Sequence, residues 1–211
     1  VHLLPKNSGV AFLDVSTGEF YVSQGSYEYI DKLMQSFRPS EVIVQKSKQR
    51  QFAEIFGGKY YLTTFDDWVY TSEFAEDILL KHFNTNSLKG FGVEDLENGN
   101  ISAGAALHYL AETHHDKLGH ICKLSRIEEE KYVWLDKFTI RNLELTYSPN
   151  ENAATLLQVI DRTITPMGSR MMKKWILLPL KIRKAVEERL DVVGFMLQNA
   201  DLTVLLRQDI K

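Results

Sequence analysis

Cysteine is nearly absent from this 211-residue chain, which carries only Cys122. One thiol excludes an internal disulfide framework and a cysteine-based zinc site, and it suits a reducing compartment. No apolar run approaches the roughly 18 residues a membrane helix needs, and no signal-peptide pattern is present. The expectation is a cytoplasmic protein with no membrane partner. A phosphate loop is missing as well. Gly57-Gly58-Lys59 has Ala53 where that motif places its first glycine, and Tyr60 where it places the magnesium-binding Ser or Thr.

What is present falls in the ordinary globular range, with 44% hydrophobic and 25% charged residues. The length admits one large domain or two small ones. A net charge of −3 conceals an asymmetry: residues 1–117 hold 10 Lys and Arg against 16 Asp and Glu, whereas residues 118–211 hold 15 against 12. Counterion release needs clustered cations, so the acidic half is a poor phosphate-binding surface. The chain opens on Val1 rather than Met, and its last helical pattern runs uncapped to Lys211. Both ends read as cut edges of a longer protein.

Strands and helices alternate through the first half. Gly9–Val15 and Glu19–Ser23 flank Ser16-Thr17-Gly18 as a hairpin. Ser26 caps a helix whose Ile30, Leu33, Met34 and Phe37 share a face, and Pro39 and the strand 41–45 follow. Further helices are expected over 49–56 and 73–83, with strand-like 60–64 between them, and a small-residue helix over 101–113 fits close packing on a sheet. This order predicts an α/β layer with a mixed sheet. The domain assignment is 1–118, a linker over 119–134, and a helical region over 135–211. Within the last, 135–145 reads as a strand or extended arm, and Ser148 with Glu151 has capping-box spacing for a helix start.

The densest information lies between Thr155 and Leu180. Leu156, Leu157 and Ile160 fall on one helical face, predicting a buried stripe. Thr165 then caps a second helix with Pro166 at its first position, where the missing N–H costs nothing. Met167, Met171, Met172, Trp175 and Ile176 form the apolar face, and Pro179 ends the run. Thr165, Pro166, Met167, Gly168 and Trp175 are therefore read as a structural junction, buried through Met167, Met171 and Trp175. Gly168 in a first turn indicates either close approach of another backbone or a harmless helix-end position. Arg170, Lys173, Lys174, Lys181, Arg183 and Lys184 flank Trp175. Arg170, Lys173 and Lys174 are candidates for phosphate or partner contact, set against a solvated helix face.

The run Leu-Leu-Gln-Val-Ile-Asp-Arg-Thr-Ile-Thr-Pro-Met-Gly-Ser-Arg, with Trp175–Leu180 and Glu188-Arg189-Leu190-Asp191-Val192-Val193, closely resembles the start of the core (lever) domain of the MutS family of mismatch repair proteins. Leu135–Leu145 resembles that family's entry to the core. Gly9–Phe20 and Arg38–Val42 resemble the RNase H-like connector that precedes it. The resemblance implies a non-catalytic connector and lever region that transmits state between DNA-binding and ATPase domains and docks a MutL-type partner. It further implies DNA binding, a homodimer, ATP and magnesium for the full-length parent, and none of these cofactors here.

Competing site readings rest on Asp14 and the histidines. A carboxylate on the first strand of an RNase H-like sheet is where nucleases of that fold hold metal, and Asp66 or Asp67 could join Asp14 in a metal-dependent nuclease. Asp14 also precedes Ser-Thr-Gly, where a short acceptor stabilises a turn. His108, His114, His115 and His120 lack the ligand spacing zinc prefers. Phe52-Ala53-Glu54 and Phe74-Ala75-Glu76 match the family's mismatch-wedging Phe-x-Glu, yet both lie on amphipathic helices that place the Phe in a core.

Overall fold

Alternating burial builds the first hairpin. Val10 and Phe12 are buried on one face and Phe20 and Val22 on the other, and β1 (Ser8–Asp14) and β2 (Glu19–Gly25) pair antiparallel, with Ser8 opposite Gly25 and Asp14 opposite Glu19. The computed structural model describes residues 1–113, 118–127, 131–150 and 153–210. It separates into two compact units, Val1–Ile127 and Glu128–Lys211.

In the first unit, Ser26 accepts a bond from Tyr29 N–H and starts α1 (Tyr27–Phe37). Arg38 ends it in the left-handed conformation, φ 48°, returning its N–H to the Met34 carbonyl. β3 (Val42–Gln45), α2 (Gln49–Phe56) and β4 (Leu62–Phe65) form a parallel crossover. α3 (Ser72–Phe83) is capped by Thr71, and α4 (Glu97–Glu112) follows a looping segment. β5 (Leu124–Arg126) pairs parallel with β2, giving a mixed sheet in the order β1-β2-β5 beside the β3-β4 pair. Residues 1 and 2 run between them: His2 and Gly9 exchange backbone bonds of 3.0 and 2.9 Å, and Val1 N donates to Ile43 O at 2.7 Å.

The helix rich in small residues does lie close to its neighbours. A β-carbon on Gly99 would meet the Ser23 carbonyl oxygen at 2.9 Å, and one on Gly104 would meet the Ala75 α-carbon at 2.6 Å. α4 therefore packs on β2 on one side and α3 on the other, over a core that includes Phe20, Val22, Leu79, Leu107, Leu110 and Leu124. Part of the stretch assigned as a linker belongs to this unit. Ile121, Leu124 and Ile127 are buried, and 124–126 is a sheet strand, because three apolar residues at spacing three are enough to anchor a short edge.

The second unit is helical: α5 (Lys137–Asn142), α6 (Leu156–Ile160), α7 (Pro166–Leu177), α8 (Arg183–Gln198) and α9 (Ala200–Asp209). The extended arm expected over 135–145 is instead the helix α5, which Asp136 starts by accepting from Thr139 N–H at 2.7 Å. Ile140, Leu145 and Leu177 form a small core with Leu135 and Ile176 packed against it. Tyr132 bridges to Leu180, and Val133 N–H reaches Pro179 O at 2.8 Å. The α/β unit followed by an all-α unit is the fold class the sequence predicts.

Candidate functional site: the helix joint at residues 155–180

Two short helices meet here at a bend held by side-chain oxygens. Thr155 starts α6 with a complete capping box: Gln158 N–H donates to Thr155 Oγ1 at 3.2 Å, and Thr155 N–H donates to Gln158 Oε1 at 2.8 Å. The box expected at Ser148 is not where the helix begins. Ser148 Oγ instead donates to Glu144 and accepts from Asn150 N–H, and Glu151 lies outside the described residues. α6 lasts only five residues, and its first two N–H groups bond Glu144 O and Leu145 O at 2.9 Å, tying it to the end of α5.

Thr165 caps α7 as the sequence predicts, with Gly168 N–H donating to its Oγ1 at 3.0 Å and Pro166 at the first helical position. The surroundings of Gly168 are side chains: an added β-carbon would meet Thr163 Cβ at 3.1 Å and Thr165 Oγ1 at 3.2 Å. The residue that organises the bend is Asp161, which pattern reading passed over. Its Oδ1 accepts from Thr163 N–H at 3.0 Å and Thr163 Oγ at 2.6 Å, while Oδ2 accepts from Ser169 Oγ at 2.6 Å. These donors, Ser169 first and Thr163 next, hold the carboxyl below its ordinary pKa. An Asp-x-Thr turn beside a capped helix was the available signal.

The apolar stripe departs from expectation. Leu156, Ile160, Met167, Met171 and Trp175 are all exposed, with Met167 at 60% and Trp175 at 38%. Leu177 and Leu178 supply the buried positions instead. Helical spacing reports that a face is apolar but not that the 211 residues contain its cover. The Arg189 guanidinium lies 4.1 Å from the Trp175 ring centre, joining α7 to α8 by cation–π contact. Of the basic cluster, Arg170 is exposed, Lys173 and Lys174 are half-buried, and Arg183 pairs with Glu187 at 2.7 Å.

The remaining candidates fall in the first unit and do not assemble. Asp14 Oδ1 accepts from Ser16 N–H at 2.9 Å, Ser16 Oγ at 2.6 Å and Thr17 N–H at 3.3 Å, so it stabilises the hairpin turn. Asp66 pairs with Lys46 at 3.8 Å and Asp67 accepts from Ser47 at 2.7 Å. Among the described residues no three His, Cys, Asp or Glu side chains gather as metal ligands. His108 packs against Phe65, Trp68 and Phe74, and His120 bonds the Val15 carbonyl at 2.6 Å. His114 and His115 lie outside the described residues. Phe52 is fully buried and Phe74 packs on a core cluster. Gly57-Gly58-Lys59 does not fit a nucleotide: strand β4 follows it where a phosphate loop needs a helix, and Lys59 sits 4.9 Å over Tyr60.

Comparison with known proteins covers nearly the whole chain. Residues 5–122 match the model of MutS domain II, and residues 138–211 match that of MutS domain III. Proteins named DNA mismatch repair protein MutS are similar throughout. The one from Christiangramia forsetii is 52% identical over 211 residues, 100% of this chain and 24% of its own length. That of Flavobacterium johnsoniae is 52% identical over 206 residues, 98% of this chain and 24% of its own. That of Bacteroides thetaiotaomicron is 49% identical over 210 residues, 100% of this chain and 24% of its own. The chain thus spans about a quarter of the length of these relatives. An acidic α/β unit matching domain II, followed by a capped helix joint matching domain III, places this chain in the MutS family of DNA mismatch repair proteins.

Proposed function

We propose that this chain is the connector and the opening of the lever region of a mismatch repair protein, and that its work is mechanical. The observation that carries this is the 155–180 joint, where the side chains of Thr155, Asp161, Thr163, Thr165 and Ser169 cap or brace the helices that meet there. Thr165, Pro166, Met167, Gly168 and Trp175 form that junction, with Asp161 as its brace. Arg170, Lys173 and Lys174 are kept as a contact for phosphate or a protein partner. On this reading the whole protein is a DNA-dependent ATPase that uses magnesium, acts as a cytoplasmic homodimer on mismatched DNA and recruits a MutL-type partner through the first unit. The curated relatives' shared name, and their fourfold greater length, support the assignment.

The test is direct binding to the 211-residue chain. Neither ATP nor mismatched DNA is expected to bind below micromolar concentration, because no phosphate loop is encoded and the first unit is acidic. Sub-micromolar binding of either would overturn the proposal. A MutL-type partner should crosslink to residues before 128; crosslinks confined to residues after 150 would count against the docking role. The nuclease alternative gains nothing from the positions of Asp14, Asp66 and Asp67, and DNA cleavage in magnesium or manganese that Asp14→Asn abolished would revive it.

A further inference from the structure

Beside the core of the first unit lies an aromatic shelf that the helix joint does not involve. His108 on α4 is its centre: the Phe65 ring is 4.9 Å away, Phe74 5.3 Å and Trp68 5.4 Å, with Trp68 and Phe74 5.0 Å apart at 82°. Phe65 and Phe74 rest on a buried cluster of Val69, Tyr70, Ala75, Ile101 and Ala105, which fixes the rings from below. Trp68 is 55% exposed. An indole more than half exposed, braced edge-to-face by Phe74 and His108, is open to contact from solvent.

The chain that forms this shelf is mainly acidic. Between Tyr61 and Leu80 the chain carries Asp66, Asp67, Glu73, Glu76 and Asp77 and no Lys or Arg. From Gly90 to Glu112, the stretch that contains α4, it again has no Lys or Arg. Lys46 pairs with Asp66 at 3.8 Å, and Lys81 follows the acidic run on α3. An exposed indole whose chain neighbours are carboxylates, Asp66, Asp67 and Glu73, suits an arginine-bearing surface, because guanidinium stacks on indole while it pairs with carboxylate. The same field repels nucleic acid.

We propose that the Trp68–Phe74–His108 shelf is the docking surface for a basic, arginine-bearing segment of a protein partner. This rests on the reading of the first unit as a docking domain and names the place and chemistry of that contact. The experiment measures binding of a MutL-type partner to the 211-residue chain, its Trp68→Ala and Trp68→Phe variants, and a Glu73→Lys/Asp77→Lys variant. Trp68 is exposed, so Trp68→Ala should keep the fold, checked by circular dichroism.

Expected are losses of about tenfold for Trp68→Ala and for the charge reversal, and near-normal binding for Trp68→Phe. Equal binding by all four proteins overturns the shelf while leaving the docking role intact. Absence of binding by the parent chain removes the docking role, and an arginine-rich peptide then decides the shelf alone. Trp68 fluorescence and indole N–H shifts that respond to that peptide, but not to a glutamate-rich one, support it; no response overturns it.

Discussion

Ser169 Oγ donates to Asp161 Oδ2 across 2.6 Å, joining the end of α6 to the first turn of α7. The two residues are eight positions apart, so the bond spans the bend rather than either helix. The carboxylate accepts three side-chain and backbone bonds in all at this corner, two of them from Thr163. A bend secured by a charged acceptor inherits that group's titration.

The pH dependence follows from that bond. Asp161 has its pKa lowered in the folded chain by Ser169 and Thr163, so its contribution is present above the unfolded aspartate value and lost as pH falls through the lowered folded value. Acidification should loosen the α6–α7 corner before the helices themselves melt. In Asp161→Asn the corner should be loose at neutral pH and respond less to acid. Amide exchange at 161–169, followed from pH 7 downward, checks this; identical acid profiles for the two proteins would refute it.

Capping makes a sharper distinction between two threonine and serine sites. Thr155→Ala should cost the second unit about 1 kcal/mol, because its hydroxyl satisfies a helix N–H and it completes a reciprocal box. Ser148→Ala should cost only about half of that or less, since its loop bonds start no helix among the described residues. Chemical denaturation of the two variants, read by helix content, gives the comparison. Equal losses would contradict the assignment of the helix start.

Close packing around α4 predicts an asymmetric response to one added methyl. Gly104→Ala forces a β-carbon against the Ala75 α-carbon, 2.6 Å away, and should destabilise the first unit by about 1–3 kcal/mol. Gly58→Ala meets nothing within 4 Å and should stay within about 0.5 kcal/mol of the parent. Thermal or urea unfolding resolves the pair, and a neutral Gly104→Ala would mean that α3 and α4 separate at little cost.

The Trp175–Arg189 contact predicts a measurable coupling. A double-mutant cycle with Trp175→Leu and Arg189→Met should return an interaction of about 0.5–1 kcal/mol at a half-exposed site. Additive losses would show that α7 and α8 do not communicate through this pair.

Local chemistry in this chain was legible, and its partners were not. The hairpin, the Ser26 cap, the Thr165–Pro166 start and the strand–helix–strand order around α2 are all decided within a few residues, and they stand close to where spacing put them. Lys137–Asn142 was misread as extended because its helical signal is one cap, Asp136, and six residues too short to show a period. Arg189 lies fourteen positions beyond Trp175, and no pattern on either helix announces their meeting. The Met167, Met171 and Trp175 face was read correctly as apolar and wrongly as covered, since periodicity describes one surface and burial requires two. Trp68 escaped notice for the opposite reason: its significance comes from Phe74 and His108, which fold beside it from α3 and α4.

β5 has a consequence for how the first unit bears load. The chain leaves this unit from a three-residue strand, joined to β2 by the pairs Phe20–Leu124, Tyr21–Ser125 and Val22–Arg126 and extended by Ile127 N–H to Val22 O at 2.9 Å. Arg126 Nη1 adds two contacts of 2.7 Å to the Asp95 carboxylate, in the loop that leads into α4. A pull along the backbone past Ile127 would therefore meet both the β2 pairing and the Arg126–Asp95 contact at the entrance to α4. Shedding the few bonds of this edge strand would free the chain beyond it while the seven-pair β1–β2 ladder stayed intact.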